Sequence, residues 1–137
     1  MSIQDFNDET IDWLGEWMSQ TGNDRYEMTE KLSLNVQSSL LNYMNTYGDL
    51  ETYELYRGVD YTTNDIIANF DTLSSWSLDP VYAENFGPNI MYTKVSKNHV
   101  LIDTTLFMRN EVISILGGFP DEQEVILFPD NYKIEFI

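Results

Sequence analysis

The sequence predicts one α+β domain over residues 1–137. Two patterns carry that prediction. The first fifty residues place apolar side chains at helical spacing, and from Glu54 onward short strand-like runs alternate with turn residues. Composition adds that the chain folds. With 42% apolar and 14% aromatic residues it is too hydrophobic to be an acidic disordered tail, despite 7 Lys+Arg against 23 Asp+Glu and a formal charge of −16. Its length suits one core.

The elements follow in chain order. Asp8-Glu9-Thr10 puts acids at a helix N-terminus, where the dipole favours them, and Ile11, Leu14, Trp17 and Met18 recur at helical spacing until Gly22-Asn23-Asp24 ends the run. A second helix is predicted over residues 29–47, capped by Thr29 and carrying Leu32, Val36, Leu40, Tyr43 and Met44 as its apolar stripe, with Gly48-Asp49 closing it. Both stripes read as core. Residues 54–59 read as a strand, 63–70 as a short helix and 72–77 as a strand rich in small hydroxyl residues. Asp79-Pro80 opens another helix, with Asp79 as N-cap and Pro80 in the first turn, and Gly87-Pro88 stops it. Residues 89–95 and 100–103 read as strands around a Ser96-Lys97-Asn98 turn. Residues 124–129 and 132–137 read as a C-terminal hairpin across Pro129-Asp130-Asn131.

Charge and residue usage exclude several functions. A chain this acidic offers no basic face for phosphate contacts, so direct nucleic-acid binding is not expected. Zero cysteines exclude disulfides, thiolate metal sites and a cysteine nucleophile, and fit a reducing compartment. One histidine, His99, leaves little room for a His-based metal site or a Ser-His-Asp triad, and in its turn it reads as solvated. The first ten residues lack the basic and apolar regions of a secretory signal, and no run approaches the ~20 apolar residues of a membrane span. A cytoplasmic protein without metal or membrane contact is the expectation.

Three local features could carry chemistry. Tyr56-Arg57-Gly58 puts one of only three arginines in an apolar strand beside a residue that permits close backbone approach. Its guanidinium suits a bidentate anion, either a ligand phosphate or one of the chain's own carboxylates. In Ser75-Trp76-Ser77 the two hydroxyls share one strand face and Trp76 takes the other. They suit a polar ligand or a carboxylate, or they face water from an edge strand. Glu122 and Glu124 sit two apart and share a face if the strand has begun. Such a pair can divide acid/base and electrostatic work, or it can be solvated surface.

Taken in this order, Tyr56-Arg57-Gly58, then Ser75-Trp76-Ser77 with Ala83 and Phe86 downstream, then Glu122-Gln123-Glu124-Val125-Ile126-Leu127, the chain resembles the R-S-E class of mono-ADP-ribosyltransferases, which includes exotoxins and the bacteriophage Alt and Mod enzymes. The match spans roughly half the chain. The resemblance implies two packed, mainly antiparallel sheets forming a cleft, flanked by the N-terminal helices. NAD is implied as substrate. Cofactor-binding residues would be Tyr56, Arg57, Gly58, Ser75, Ser77, Phe86 and Glu124, with Arg57 on the phosphates, Phe86 on nicotinamide and residues 87–90 as a clamp. Catalytic residues would be Glu124, Glu122, Ser75 and Arg57. Glu124 would stabilise the oxocarbenium-like transition state, Ser75 would support it, Ser77 would stiffen the strand and Glu122 would orient or deprotonate the acceptor. In the family a Glu at that position goes with arginine as target, and residues 104–120 would form the substrate-facing loop.

Two departures stand out. Trp76 replaces a small residue and is expected to pack in the core. Where relatives carry a second arginine after the Phe86 equivalent, this chain has Pro88 and Asn89, which leaves phosphate binding to Arg57 and backbone N–H groups. The other cations, Arg25, Lys31, Lys94, Lys97, Arg109 and Lys133, read as surface charges, with Arg109 in the substrate loop. The expected activity is therefore transfer of ADP-ribose from NAD to an arginine of a basic target protein with release of nicotinamide, in a bacterial cytoplasm or that of a phage host. The alternatives are an acidic DNA-mimic inhibitor or an NAD glycohydrolase on the same fold.

Overall fold

The computed structural model describes residues 3–19 and 25–137. Helix α1 (Asp8–Ser19) starts where Asn7 Oδ1 accepts the Thr10 amide at 2.9 Å, and Asp8 and Glu9 occupy its first turn. It buries Thr10, Trp13, Leu14, Trp17 and Met18 on one stripe, so the helical spacing does mark core. The predicted Gly22-Asn23-Asp24 stop lies outside the described residues.

The single helix predicted over residues 29–47 is two, α2 (Arg25–Glu30) and α3 (Leu34–Tyr47). Ser33 is the N-cap of α3, its hydroxyl accepting the Val36 amide at 3.2 Å. Thr29 cannot cap because its hydroxyl is committed elsewhere. It donates to the Arg25 carbonyl within α2 (2.6 Å) and accepts the Leu73 amide from the sheet (3.0 Å). Helix α3 buries Val36, Leu40, Tyr43 and Met44 and packs on strand β5.

Seven antiparallel strands follow: β1 (Thr52–Val59), β2 (Ile67–Phe70), β3 (Ser74–Ser77), β4 (Asn89–Ser96), β5 (Val100–Asp103), β6 (Glu124–Leu127) and β7 (Asp130–Phe136), in the order β2-β7-β4-β1-β3-β6-β5. The α+β class agrees with the sequence. The two expected sheets appear as a four-stranded half and a three-stranded half of one hydrogen-bonded order, and the seam between β1 and β3 carries a single residue pair, Tyr56 with Ser77. Between β3 and β4 lie α4 (Pro80–Ala83), capped by Asp79 as predicted, and a 3₁₀ turn, Glu84–Phe86.

Two local predictions fail where long-range pairing decides. Residues 63–70 hold no helix. Ile67–Phe70 is an edge strand on β7, because a segment of four residues is too short to show a period of its own and takes its form from its partner. The C-terminal hairpin also does not form: β6 pairs with β3 and β5, whereas β7 pairs with β4 and β2. Strand β6 is buried at every position and belongs inside a layer, while β7 alternates and keeps a solvent face. The segment read as a substrate-facing loop is partly helical, with α5 (Arg109–Ser114) anchored by Glu111 and Val112. Among the described residues no helix is long and apolar enough to cross a membrane.

Candidate active site

The seam opens into a cleft of about 420 Å³, within the ~300–1,000 Å³ usual for ligand sites. Every residue singled out from the sequence, namely Tyr56, Arg57, Gly58, Ser75, Ser77, Phe86, Glu122 and Glu124, lines it. Strand β1 delivers the first three. Tyr56 stands at the seam with its ring 5.4 Å from that of Tyr92. Arg57 Nη1 donates to the Ser75 carbonyl at 2.8 Å and so reaches across to the three-stranded half, and its guanidinium lies 5.5 Å from the Phe70 ring. Among the described residues Arg57 has no carboxylate within ion-pair distance, so its charge is not spent on a structural salt bridge. Burial lowers its pKa, yet a guanidinium remains charged.

Gly58 is fixed by contact. A Cβ there would stand 1.9 Å from the Ala83 carbonyl oxygen, and one on Gly87 would stand 2.4 Å from the Val59 backbone. These two glycines let the end of α4 and the turn after it lie directly on β1, which puts Phe86, 63% exposed, on the lip of the cleft. Its ring lies 5.9 Å from that of Tyr82.

The three-stranded half supplies the hydroxyls and carboxylates. Register pairs Ser77 with Glu124, Trp76 with Val125 and Ser75 with Ile126. The Ser75 hydroxyl donates to Glu124 Oε2. The Ser77 hydroxyl donates to the Glu122 carbonyl at 2.7 Å and accepts the Asp79 amide at 2.9 Å, pinning the turn before β6 to the cap of α4. Trp76 is buried, as expected, against Phe70, with its indole N–H on the Ser74 hydroxyl.

Glu122 and Glu124 meet in the cleft, though not by strand alternation. Glu122 ends a 3₁₀ turn, Pro120–Glu122, Gln123 is left-handed (φ 46°, ψ 51°), and β6 begins only at Glu124. Gln123 is the one non-glycine residue with positive φ among those described. Such a conformation is costly, and here it turns two successive acids into one cavity. Glu124 is 4% exposed. Glu122 is pushed up to about 7, first by burial and then by the Glu124 charge. Tyr82, whose hydroxyl stands 3.5 Å from Glu122 Oε1, and Arg25 oppose the rise.

Arg25 corrects the reading of it as a surface charge. Its guanidinium stacks over the Trp17 ring at 3.8 Å and lines the cleft, and its Nη1 is buried with no hydrogen-bond partner among the described residues. Burial and Arg57 lower its pKa, and Glu124 and Glu122 raise it. Trp17 and Phe119 also line the cleft and were not singled out. In the sequence Trp17 is one more apolar position on a helix stripe, and nothing in that pattern assigns it to the site. Phe119 is 55% exposed at the rim. Among the described residues no group of three or more metal-ligating side chains could hold a metal ion.

The chain has an ADP-ribosyltransferase-like fold: an antiparallel sheet in two halves, a cleft at their seam, and helices preceding the sheet. It is similar in structure to Exoenzyme S from Pseudomonas aeruginosa, solved in complex with human 14-3-3 protein beta and bound to Carba-NAD, with a TM-score of 0.54 and 14% sequence identity over 91% of this chain. The similarity spans 64% of that chain. No protein-family model matches the sequence, and no curated protein matches it.

Proposed function

We propose that the protein is a mono-ADP-ribosyltransferase that uses NAD as substrate and modifies arginine on a basic protein. The observation that carries the reading is the meeting of Arg57, Ser75, Glu122 and Glu124 in one cleft, with the Glu124 carboxylate held by the Ser75 hydroxyl. The cleft suits NAD on its own evidence. Arg25 brings a buried, unsatisfied guanidinium nitrogen beside Arg57, so two cations stand ready for a pyrophosphate in a chain of charge −16. Arg25 thus fills the role left open by Pro88 and Asn89.

NAD supplies a glycosidic bond to nicotinamide whose cleavage leaves positive charge on the ribose. A carboxylate aligned beforehand in a buried site stabilises that charge, and this is the work of Glu124. Ser75 fixes its orientation, and Ser77 fixes the turn that carries Glu122. Glu122, pushed up to about 7, is matched to taking a proton from an acceptor guanidinium near neutral pH. Phe86 offers an aromatic face at the lip. The acidic surface favours a cationic partner and speeds its encounter.

Labelled NAD incubated with lysate tests the reading. Wild type transfers label to protein, and Glu124→Ala loses it by ~100-fold or more. Transfer that survives the substitution refutes the mechanism. Nicotinamide release without protein labelling assigns the glycohydrolase activity instead.

A further inference from the structure

We infer that Trp17 is a positioning residue for Glu124, an inference that rests on the transferase reading of the cleft. Its indole Nε1–H donates to Glu124 Oε2 at 2.7 Å, from a residue 107 positions earlier in the chain. The same oxygen accepts the Ser75 hydroxyl. Both donors converge on Oε2, while Oε1 takes no hydrogen bond from the described residues and is not sealed from the cleft. One carboxylate oxygen is therefore tied to the protein and the other is presented to a ligand. A serine alone leaves the carboxylate free to rotate about that single bond. A second donor from α1 fixes the plane.

The indole is itself held. Trp17 is 1% exposed, its ring stacks on Trp13 with centroids 5.5 Å apart, and the Arg25 guanidinium covers it at 3.8 Å. A cation on the π face draws electron density from the ring and strengthens the N–H as a donor to an anion. The N-terminal helices thus do more than cover the sheet: α1 and α2 reach into the site through Trp17 and Arg25. Neither role is legible in the helix periodicity, which marks Trp17 as core and nothing more.

Trp13 provides the control. It lies on the same helix, is also buried at 4% exposed, and spends its indole N–H on the Met28 carbonyl at 3.2 Å. Trp17→Phe keeps an aromatic face for Arg25 and Trp13 but removes the donor. Trp13→Phe removes a comparable indole without touching Glu124.

Two measurements on the whole chain test the assignment. In the first, the indole N–H resonances are recorded in wild type and in Glu124→Gln. The Trp17 signal moves, while those of Trp13 and Trp76, bonded to Met28 and Ser74, stay in place. In the second, nicotinamide release from NAD is followed in both Phe variants. Trp17→Phe lowers kcat about 10- to 100-fold with KM for NAD little changed, as loss of a charge-assisted bond at the reacting carboxylate requires. Trp13→Phe leaves kcat within about twofold, whatever it costs in Tm. A Trp17 indole signal indifferent to Glu124→Gln, or equal kcat losses in the two variants, overturns the inference. A responsive signal in a wild type that releases no nicotinamide overturns the transferase reading and leaves the Trp17–Glu124 bond standing.

Discussion

Strands β5 and β6 are buried along their whole length, whereas β7 and β2 alternate between inward and exposed positions. The three-stranded half that contains β5 and β6 carries Ser75, Glu124 and the turn that aims Glu122. The four-stranded half carries Arg57 and, through Gly58, seats α4 and Phe86. The division is chemical as well as topological. In the proposed reaction the carboxylates would act on a developing cation, which calls for a low-dielectric, water-poor setting, and the half that holds the buried β5 and β6 offers one. Under the same proposal the cation and the aromatic lip would meet an anionic ligand arriving from solvent, and they stand on the half that keeps a wet face. One hydrogen-bonded pair at the seam, Tyr56 with Ser77, lets the halves diverge into a cleft, and Arg57 reaching to the Ser75 carbonyl keeps them in register.

That contrast can be broken from either side. Gly58→Ala strikes the four-stranded half, where a Cβ 1.9 Å from the Ala83 carbonyl forces α4 off β1. We expect a loss of about 3 kcal/mol or more, the upper range for overpacking against backbone, seen as a drop in Tm. A Tm close to wild type would mean that α4 is not seated on the strand.

Glu122 sharpens the contrast from the other side, with a smaller effect. It is pushed up to about 7 from an ordinary value near 4.5, so the folded protein keeps this proton through a range where the unfolded chain has lost it. The stabilisation it contributes is complete below about 4.5 and is lost as pH rises through about 7. In Glu122→Gln that decline disappears, and denaturant unfolding followed against pH reads it. If the proposed transfer operates, label transfer to an arginine acceptor is expected to rise through about pH 7 as Glu122 ionises, with nicotinamide release changing less. Parallel profiles for the two activities would assign both steps to one carboxylate.

Some of this was legible in the sequence and some was not. The stripes of α1 and α3, the Asp79 cap and the start of a strand at Glu124 are local patterns, and they hold. The motif residues on β1, β3 and the turn before β6 come together in one cleft, a convergence their order along the chain makes visible before any coordinates. The failures are all non-local. Ile67–Phe70 is a strand only because β7 lies beside it, the C-terminal hairpin is pre-empted by β3 and β5, which take both edges of β6, and the break at Ser33 depends on Thr29 being drawn to Leu73. Trp17 and Arg25 enter the site from helices that precede every motif, by contacts that no spacing encodes. Glu122 and Glu124 share the cleft although the strand has not begun at Glu122, because the left-handed Gln123, not strand alternation, brings both to it.

The central claim is that the two halves act on one ligand across their seam. A crystal structure of the protein with a non-hydrolysable NAD analogue tests it most directly. The account predicts the pyrophosphate against Arg57 and Arg25, the nicotinamide ribose at Glu124, and the nicotinamide ring near Phe86. An analogue bound away from the seam, or phosphates that meet neither arginine while the site stays folded, would contradict it.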